Sequence, residues 1–276
     1  MQLRRNPEKR ERVRAWLDAH RDQRGWRPIV RLAGPVWRVV GRPTAGGAEL
    51  AARFGLGRVT PGDLGLELTT LLALLSVGGF TFFVLGDLAS EPGIPRIDRE
   101  AGILAGRLEM DALVEVAKVV THLGALSVVT PVALVTATWA LTRGRWIDAV
   151  ALAVGVGLSV LLVHVAKAAY DRGRPSGGLI DVSLAAYPSG HTAYAVTLVA
   201  CATVLVRAGS GWAVRFALVT VAVALVAVVG LTRVYLRAHY LTDVIGGAAL
   251  GVAVWAFVGT LALVAGHVRH NGRRAE

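Results

Sequence analysis

Apolar runs free of charged side chains recur along the chain at Leu68–Gly86, Val119–Thr142, Ala149–Ala166, Val182–Val206, Phe216–Thr232 and Val244–Val268. About 20 such residues cross the hydrocarbon of a bilayer as a helix, so the pattern predicts six transmembrane spans and an all-α polytopic helix bundle. The fourth run opens on a polar stretch from Tyr187 to His191, which moves the expected helix start to about Ser189. Gly and Ala crowd the last run, as in Val244-Ile-Gly-Gly-Ala-Ala-Leu-Gly251, and small residues let membrane helices approach closely. Thr60-Pro61-Gly62-Asp63 reads as the start of the first span, with a capping hydroxyl followed by Pro at the first helical position.

Polar positions between the runs set an orientation. Arg4 through Arg58 precede the first run, Arg143 and Arg145 join the second to the third, Arg207 and Arg215 join the fourth to the fifth, and Arg269, Arg273 and Arg274 follow the sixth. Basic residues in short loops are retained on the cytoplasmic side, so both termini are expected in the cytoplasm. The segment Asp87–Lys118 is acidic on balance and is expected outside as an outer loop.

Composition agrees with a membrane and narrows the chemistry. Over 276 residues, 54% are hydrophobic, 18% are charged and the mean hydropathy is +0.54, values that exclude a soluble globule. A net charge of +11 concentrated in the N-terminal segment and the loops suits anionic lipid headgroups rather than nucleic acid. The single Cys201 leaves no disulfide framework and no Cys-x-x-Cys redox motif. No cleavable signal peptide is visible near the start, so the first span is expected to act as an uncleaved anchor. Before it, Trp26, Trp37 and several Ile, Leu and Val alternate with Arg27, Arg31, Arg38 and Arg42, which suits a segment lying on a membrane surface. The expected layout is a basic cytoplasmic or interfacial segment over 1–60, a six-span domain over 61–268 and a basic tail over 269–276.

Candidate chemistry sits at the outer ends of the last four runs. Lys167 ends the third and Arg174-Pro175 follows; Pro188-Ser189-Gly190-His191 opens the fourth; Arg233, His239 and Asp243 lie between the fifth and sixth. A charged side chain at membrane depth costs about 2.5–3.5 kcal/mol on insertion scales and is usually paired, snorkelling or functional. Singly, Lys167 and Arg233 read as snorkelling anchors, and His239 with Asp243 as a structural i,i+4 pair. Together, Lys167, Arg174 and Arg233 suit one phosphoryl group, and Ser189 and Gly190 at a helix start offer an anion site. Asp243 can orient the His239 ring and leave its other nitrogen as nucleophile. His191 stands as general acid for the departing oxygen.

The segments Lys167-Ala-Ala-Tyr-Asp-Arg-Gly-Arg174-Pro175, Pro188-Ser-Gly-His191 and Thr232-Arg233-Val-Tyr-Leu-Arg-Ala-His239-Tyr-Leu-Thr-Asp243 resemble, in order and spacing, the three motifs of the type-2 phosphatidic acid phosphatase family. The motif block covers residues 167–243, within a family-like core from about Pro95 to Val268. The N-terminal 60 residues lie outside it, and Thr232 stands where the family usually has Ser. The resemblance implies that His239 forms a phosphohistidine with Asp243 as its partner and His191 as the acid. It assigns Lys167, Arg174, Ser189, Gly190 and Arg233 to the phosphate cradle, with no metal and no cofactor.

Other polar residues fit structural roles. His122 and His164 read as interhelical hydrogen-bonders. Arg172 and Arg237 flank the motifs and read as solvated loop residues or as contacts for a second phosphate. Asp171 and Asp181 are a poor metal signal. The expectation is a multi-pass plasma-membrane lipid phosphatase with its site on the extracytoplasmic side. Undecaprenyl diphosphate is placed first as substrate, before phosphatidic acid and phosphatidylglycerol phosphate. A lipid phosphotransferase and a lipid-phosphate binding or translocating protein are the alternatives. The lipid phosphate and the surrounding membrane lipids are the expected partners, with no nucleic acid; the sequence does not specify an oligomeric state.

Overall fold

The computed structural model describes residues 61–206 and 211–273, and all regular structure among them is helical. The basic N-terminal segment and the Thr60 cap fall outside the described residues. The helices are α1 (Pro61–Ser90), α2 (Arg96–Arg107), α3 (Asp111–Thr121), α4 (Leu126–Thr142), α5 (Trp146–Tyr170), α6 (Gly190–Val206), α7 (Trp212–Tyr235) and α8 (Leu241–Arg273). Pro61 takes the first helical position of α1, as the sequence predicts.

Among the described residues, four segments are long and apolar enough to cross a membrane: Glu67–Ser90, Trp146–Tyr170, Ala213–Tyr235 and Leu241–Arg269. A fifth arises if α3 and α4 are counted together, although they meet at a 41° bend. The sequence reading expects six. The second run is broken because a 3-10 turn, His122–Gly124, separates α3 from α4. The fourth run loses its first residues to the polar motif, so α6 has only 17 residues.

The segment Asp87–Lys118, expected as the outer connection between the first two runs, is largely helical and carries α2 and most of α3. α2 is amphipathic: Ile97, Ile103 and Leu104 are exposed, whereas Asp98 and Ala105 are buried. A helix with apolar side chains outward and a carboxylate inward is suited to a membrane-facing surface laid over a polar interior.

α8 packs along α1, α5 and α6, and Val163, Ala166, Tyr187, Ala193, Tyr194, Leu250 and Val254 form a shared core. Its small residues permit close approach. A Cβ at Gly247 would fall 2.3 Å from the Ser189 carbonyl oxygen, and one at Gly251 2.7 Å from that of Ala193. Gly124 does the same for α6, since its Cβ would lie 2.5 Å from the His191 carbonyl oxygen. The backbone around Ser189 and His191 is therefore seated against glycines on two neighbouring elements. The ends of α4, α5 and α8 remote from that motif carry Trp and Arg: Arg143 and Arg145 lie over the Trp139 ring at 5.6 and 5.8 Å, and Arg269 lies 5.4 Å from the Trp146 ring. Such pairs are typical of a membrane–water interface.

Candidate active site

Three backbone segments converge at the end of the bundle formed by the C-termini of α5 and α7 and the N-termini of α6 and α8. α5 stops at Asp171, whose φ of 40° is left-handed. The loop after it is tied to the turn after α7 by the Leu179 amide donating to the Leu236 carbonyl at 3.0 Å. That turn folds back as the amides of Ala238 and His239 donate to the Arg233 carbonyl at 3.1 and 3.2 Å. The loop before α6, with a cis Tyr187–Pro188 bond, is fixed by the Ser189 amide donating to the Asp243 carbonyl at 2.9 Å.

These ties gather all eight residues singled out from the sequence. Lys167, Ser189, Gly190, Arg233, His239 and Asp243 are buried, while Arg174 and His191 are partly exposed. The charges of Lys167, Arg174 and Arg233 act on one another, and those of Arg233, Lys167 and His239 act on His191. The Lys167 ammonium donates to the Ala185 carbonyl. Arg174 donates through Nε to the Leu184 carbonyl at 2.6 Å and through Nη1 to that of Ala238 at 2.5 Å. Arg233 donates from Nη1 to the Thr121 hydroxyl at 3.2 Å, and its buried Nε has no partner. Among the described residues none of these three cations forms an ion pair. Their neighbours orient them without neutralising them.

His239 precedes α8 rather than lying on it, and its Nδ1 stands 3.5 Å from Asp243 Oδ2. The pair is close, but Nδ1 makes no hydrogen bond, in contrast to the hydrogen-bonded i,i+4 pair that the spacing suggests. Both Asp243 oxygens are engaged elsewhere: Oδ2 accepts the Tyr240 amide at 2.8 Å, and Oδ1 accepts from Arg172 Nη1 at 2.5 Å. The other ring nitrogen, Nε2, faces Arg174 Nη1 at 3.4 Å. Burial holds the imidazole down at about 4 against the upward pull of Asp243, so the ring is neutral and Nε2 can offer a lone pair.

Arg172 is neither a solvated flank nor free for a second phosphate. Its guanidinium is buried, with Nη2 on Asp98 Oδ2 at 2.8 Å and Nη1 shared between Asp243 and the Thr242 hydroxyl, the latter at 2.8 Å. Asp98 also accepts the Thr242 amide at 2.8 Å and the Thr242 hydroxyl at 2.7 Å. Tyr240 stacks on the same guanidinium at 4.3 Å from its ring centre. Burial works against the charge of Arg172, but the two carboxylates outweigh it and hold its pKa above the ordinary value. Asp98 is the residue that sequence reasoning passes over, since a lone Asp on an outer segment carries no local sign of its partner.

The remaining expectations divide. Arg237 is held by Glu109 and by the Gly177 carbonyl at 3.3 Å. His122 and His164 do not bridge helices; their Nδ1 atoms pair with carbonyls four residues back, those of Lys118 and Val160, at 2.6 and 2.8 Å. The Thr232 hydroxyl donates to the Val229 carbonyl at 2.7 Å and so stays within its own helix. The amide of Ser189 is taken by Asp243, which leaves the first-turn amides of α6, beginning with Gly190, as the backbone donors available to an anion. Among the described residues no three His, Cys, Asp or Glu side chains are grouped as metal ligands.

A profile of the PAP2 superfamily matches residues 148–264. Phosphatidylglycerophosphatase B of Bacillus subtilis is 30% identical over 181 residues, which cover 64% of this chain and 89% of that protein. The chain belongs to the PAP2 superfamily. It is accordingly an enzyme of the metal-independent phosphatase class, embedded in a membrane. The crystal structure of a transmembrane PAP2-type phosphatidylglycerolphosphate phosphatase from Bacillus subtilis superimposes with a TM-score of 0.61 and 26% identity, covering 70% of this chain and 94% of that one. The crystal structure of Aquifex aeolicus LpxE gives a TM-score of 0.46 and 24% identity over 59% of this chain and 93% of that one.

Proposed function

We propose that the protein hydrolyses a lipid phosphomonoester or diphosphate at this site, carrying the phosphoryl group transiently on His239. The observation that carries the reading is the set Lys167, Arg174 and Arg233, three cations around His239 that no carboxylate neutralises among the described residues. A phosphoryl group spreads its charge over several oxygens and matches such a set.

In the first step the neutral His239 Nε2 attacks phosphorus. The P–N bond forms as the P–O bond to the lipid breaks, and His191 gives a proton to the departing oxygen. Asp243, beside Nδ1, stabilises the positive ring. In the second step water attacks phosphorus, His191 takes its proton, the P–N bond breaks, and inorganic phosphate leaves. Lys167, Arg174, Arg233, Ser189 and the α6 amide of Gly190 hold the equatorial oxygens throughout. The scheme calls on no metal and no cofactor.

Phosphatidylglycerol phosphate moves to first place as substrate, because the curated relative and the solved structure from Bacillus subtilis carry that activity in their names. Arg172 and Arg237, the expected contacts for the second phosphate of undecaprenyl diphosphate, are both occupied. Counting the bent α3–α4 pair and the short α6 as spans gives six, with both termini in the cytoplasm and the site at the outer face of the plasma membrane; the basic 143–145 link supports this orientation. The segments 1–60, 61–268 and 269–276 are then the basic N-terminal part, the membrane domain and the tail.

The test is phosphate release by purified protein in detergent with EDTA, on phosphatidylglycerol phosphate, undecaprenyl diphosphate and phosphatidic acid, with His239→Ala alongside. Release that persists in EDTA and vanishes in the variant is expected. Wild-type protein inert on every lipid contradicts the reading and favours binding or translocation; transfer of phosphate to an added lipid acceptor in place of water favours the phosphotransferase.

A further inference from the structure

A cavity of about 300 Å³ opens beside the catalytic ring, with His239 in one wall and Asp98, Arg99 and Gly102 of α2 in another. Ile94, Ile103 and Val234 make its sides apolar. Its size is at the lower end of ligand pockets, right for a headgroup whose chain continues into the bilayer. Two arginines line it. Arg237 is committed to Glu109 and the Gly177 carbonyl. Arg99 is exposed, and among the described residues its guanidinium has neither a hydrogen bond nor an ion pair. Its position is nonetheless fixed, because the preceding residue, Asp98, anchors α2 to Arg172 and Thr242.

We propose that Arg99 binds a second phosphate of the substrate, the one that is not transferred to His239. The proposal rests on the lipid-phosphatase reading above and deepens it. The chemistry it names is a phosphate anion joined by a short linkage to the reacting phosphoryl group. Two lipids offer this: phosphatidylglycerol phosphate through its phosphodiester, and a polyprenyl diphosphate through its inner phosphate. Phosphatidic acid, with one phosphate, offers nothing to Arg99. A planar guanidinium fork suits either anion, and the apolar sides of the cavity suit the chain that follows.

The experiment compares wild type, Arg99→Ala and Arg99→Lys on the three lipids in neutral detergent micelles. For a lipid with a second phosphate, kcat/KM is expected to fall about tenfold in Arg99→Ala, mostly through KM, and to change by no more than about twofold on phosphatidic acid. The lysine variant is expected to recover part of the loss, since it restores the charge without the fork. A loss confined to phosphatidylglycerol phosphate identifies the phosphodiester as the bound group, and one confined to undecaprenyl diphosphate identifies the inner phosphate; either supports the proposal. Equal loss on all three lipids, or none on any, overturns the role of Arg99 while leaving the phosphatase reading intact. A wild-type protein that releases no phosphate from any lipid overturns both.

Discussion

Two groups of cations lie side by side at one end of this bundle and are treated in opposite ways. Arg172 is sealed into a buried knot with Asp98, Thr242 and Asp243, where the guanidinium is paired with both carboxylates and the Thr242 hydroxyl bonds Arg172 and Asp98. Arg174, two residues on, points to carbonyl oxygens and shares its field with Lys167 and Arg233. A carboxylate partner makes an arginine part of the framework, whereas a carbonyl partner fixes its direction and leaves its charge for a ligand. Asp243 joins the two groups, with one oxygen on Arg172 and the other facing His239. The knot therefore holds the carboxylate that lies beside the ring proposed as nucleophile.

Breaking the knot is expected to have the largest effect. Arg172→Ala leaves two buried carboxylates unpaired, and loss of about 3–5 kcal/mol of stability is expected, measured as denaturant unfolding in detergent; unchanged stability would mean that Arg172 belongs with the free cations. Arg174→Ala is expected to lower kcat by about 10²–10³ while costing far less stability, on the order of 1 kcal/mol for its neutral acceptors. Parallel activity and unfolding measurements on the two variants test the contrast directly. Gly247→Ala comes next, because the added methyl would sit 2.3 Å from the Ser189 carbonyl oxygen. Overpacking of about 1–3 kcal/mol and a reduced kcat are expected there, whereas Gly79→Ala, whose methyl would meet nothing within 4 Å, should leave activity unchanged.

The smallest effect is a pH shift. The proposed nucleophile must be neutral, and burial lowers the pKa of His239 from 6.5 to about 4, so the reactive form persists as pH falls until about 4. The acid limb of kcat/KM, corrected for the second ionisation of the substrate near about 6, is expected close to 4 rather than 6.5. Asp243→Asn removes a carboxylate that favours the protonated ring, so the limb measured on its residual activity should move lower still. A limb that stays near 6.5 would place the titrating group elsewhere.

The residues of the proposed site were legible in the sequence, and the pairing that builds the knot was not. Lys167, Arg174, His191, Arg233, His239 and Asp243 lie in short segments whose internal spacing is itself the signal, and apolar runs between them place all three at one membrane face. Asp98 meets Arg172 across 74 residues of chain, and nothing local to either predicts the pairing. Length reasoning also has a physical limit here: α6 is short because residues 182–189 belong to the site loop, and the second run is bent where Gly124 admits the His191 carbonyl. Most of each charge-free run is helical, but absence of charge marks neither the loop over 182–189 nor the break at His122–Gly124.

The most direct test of the account is to trap the phosphoryl group on the protein. Wild-type protein mixed with a lipid labelled in its terminal phosphate and quenched in alkali within milliseconds is expected to carry an acid-labile, alkali-stable label, absent from His239→Gln and mapped to the peptide that contains His239. Phosphate release at the full rate with no labelled protein at any time, or an undiminished label in His239→Gln, would contradict it.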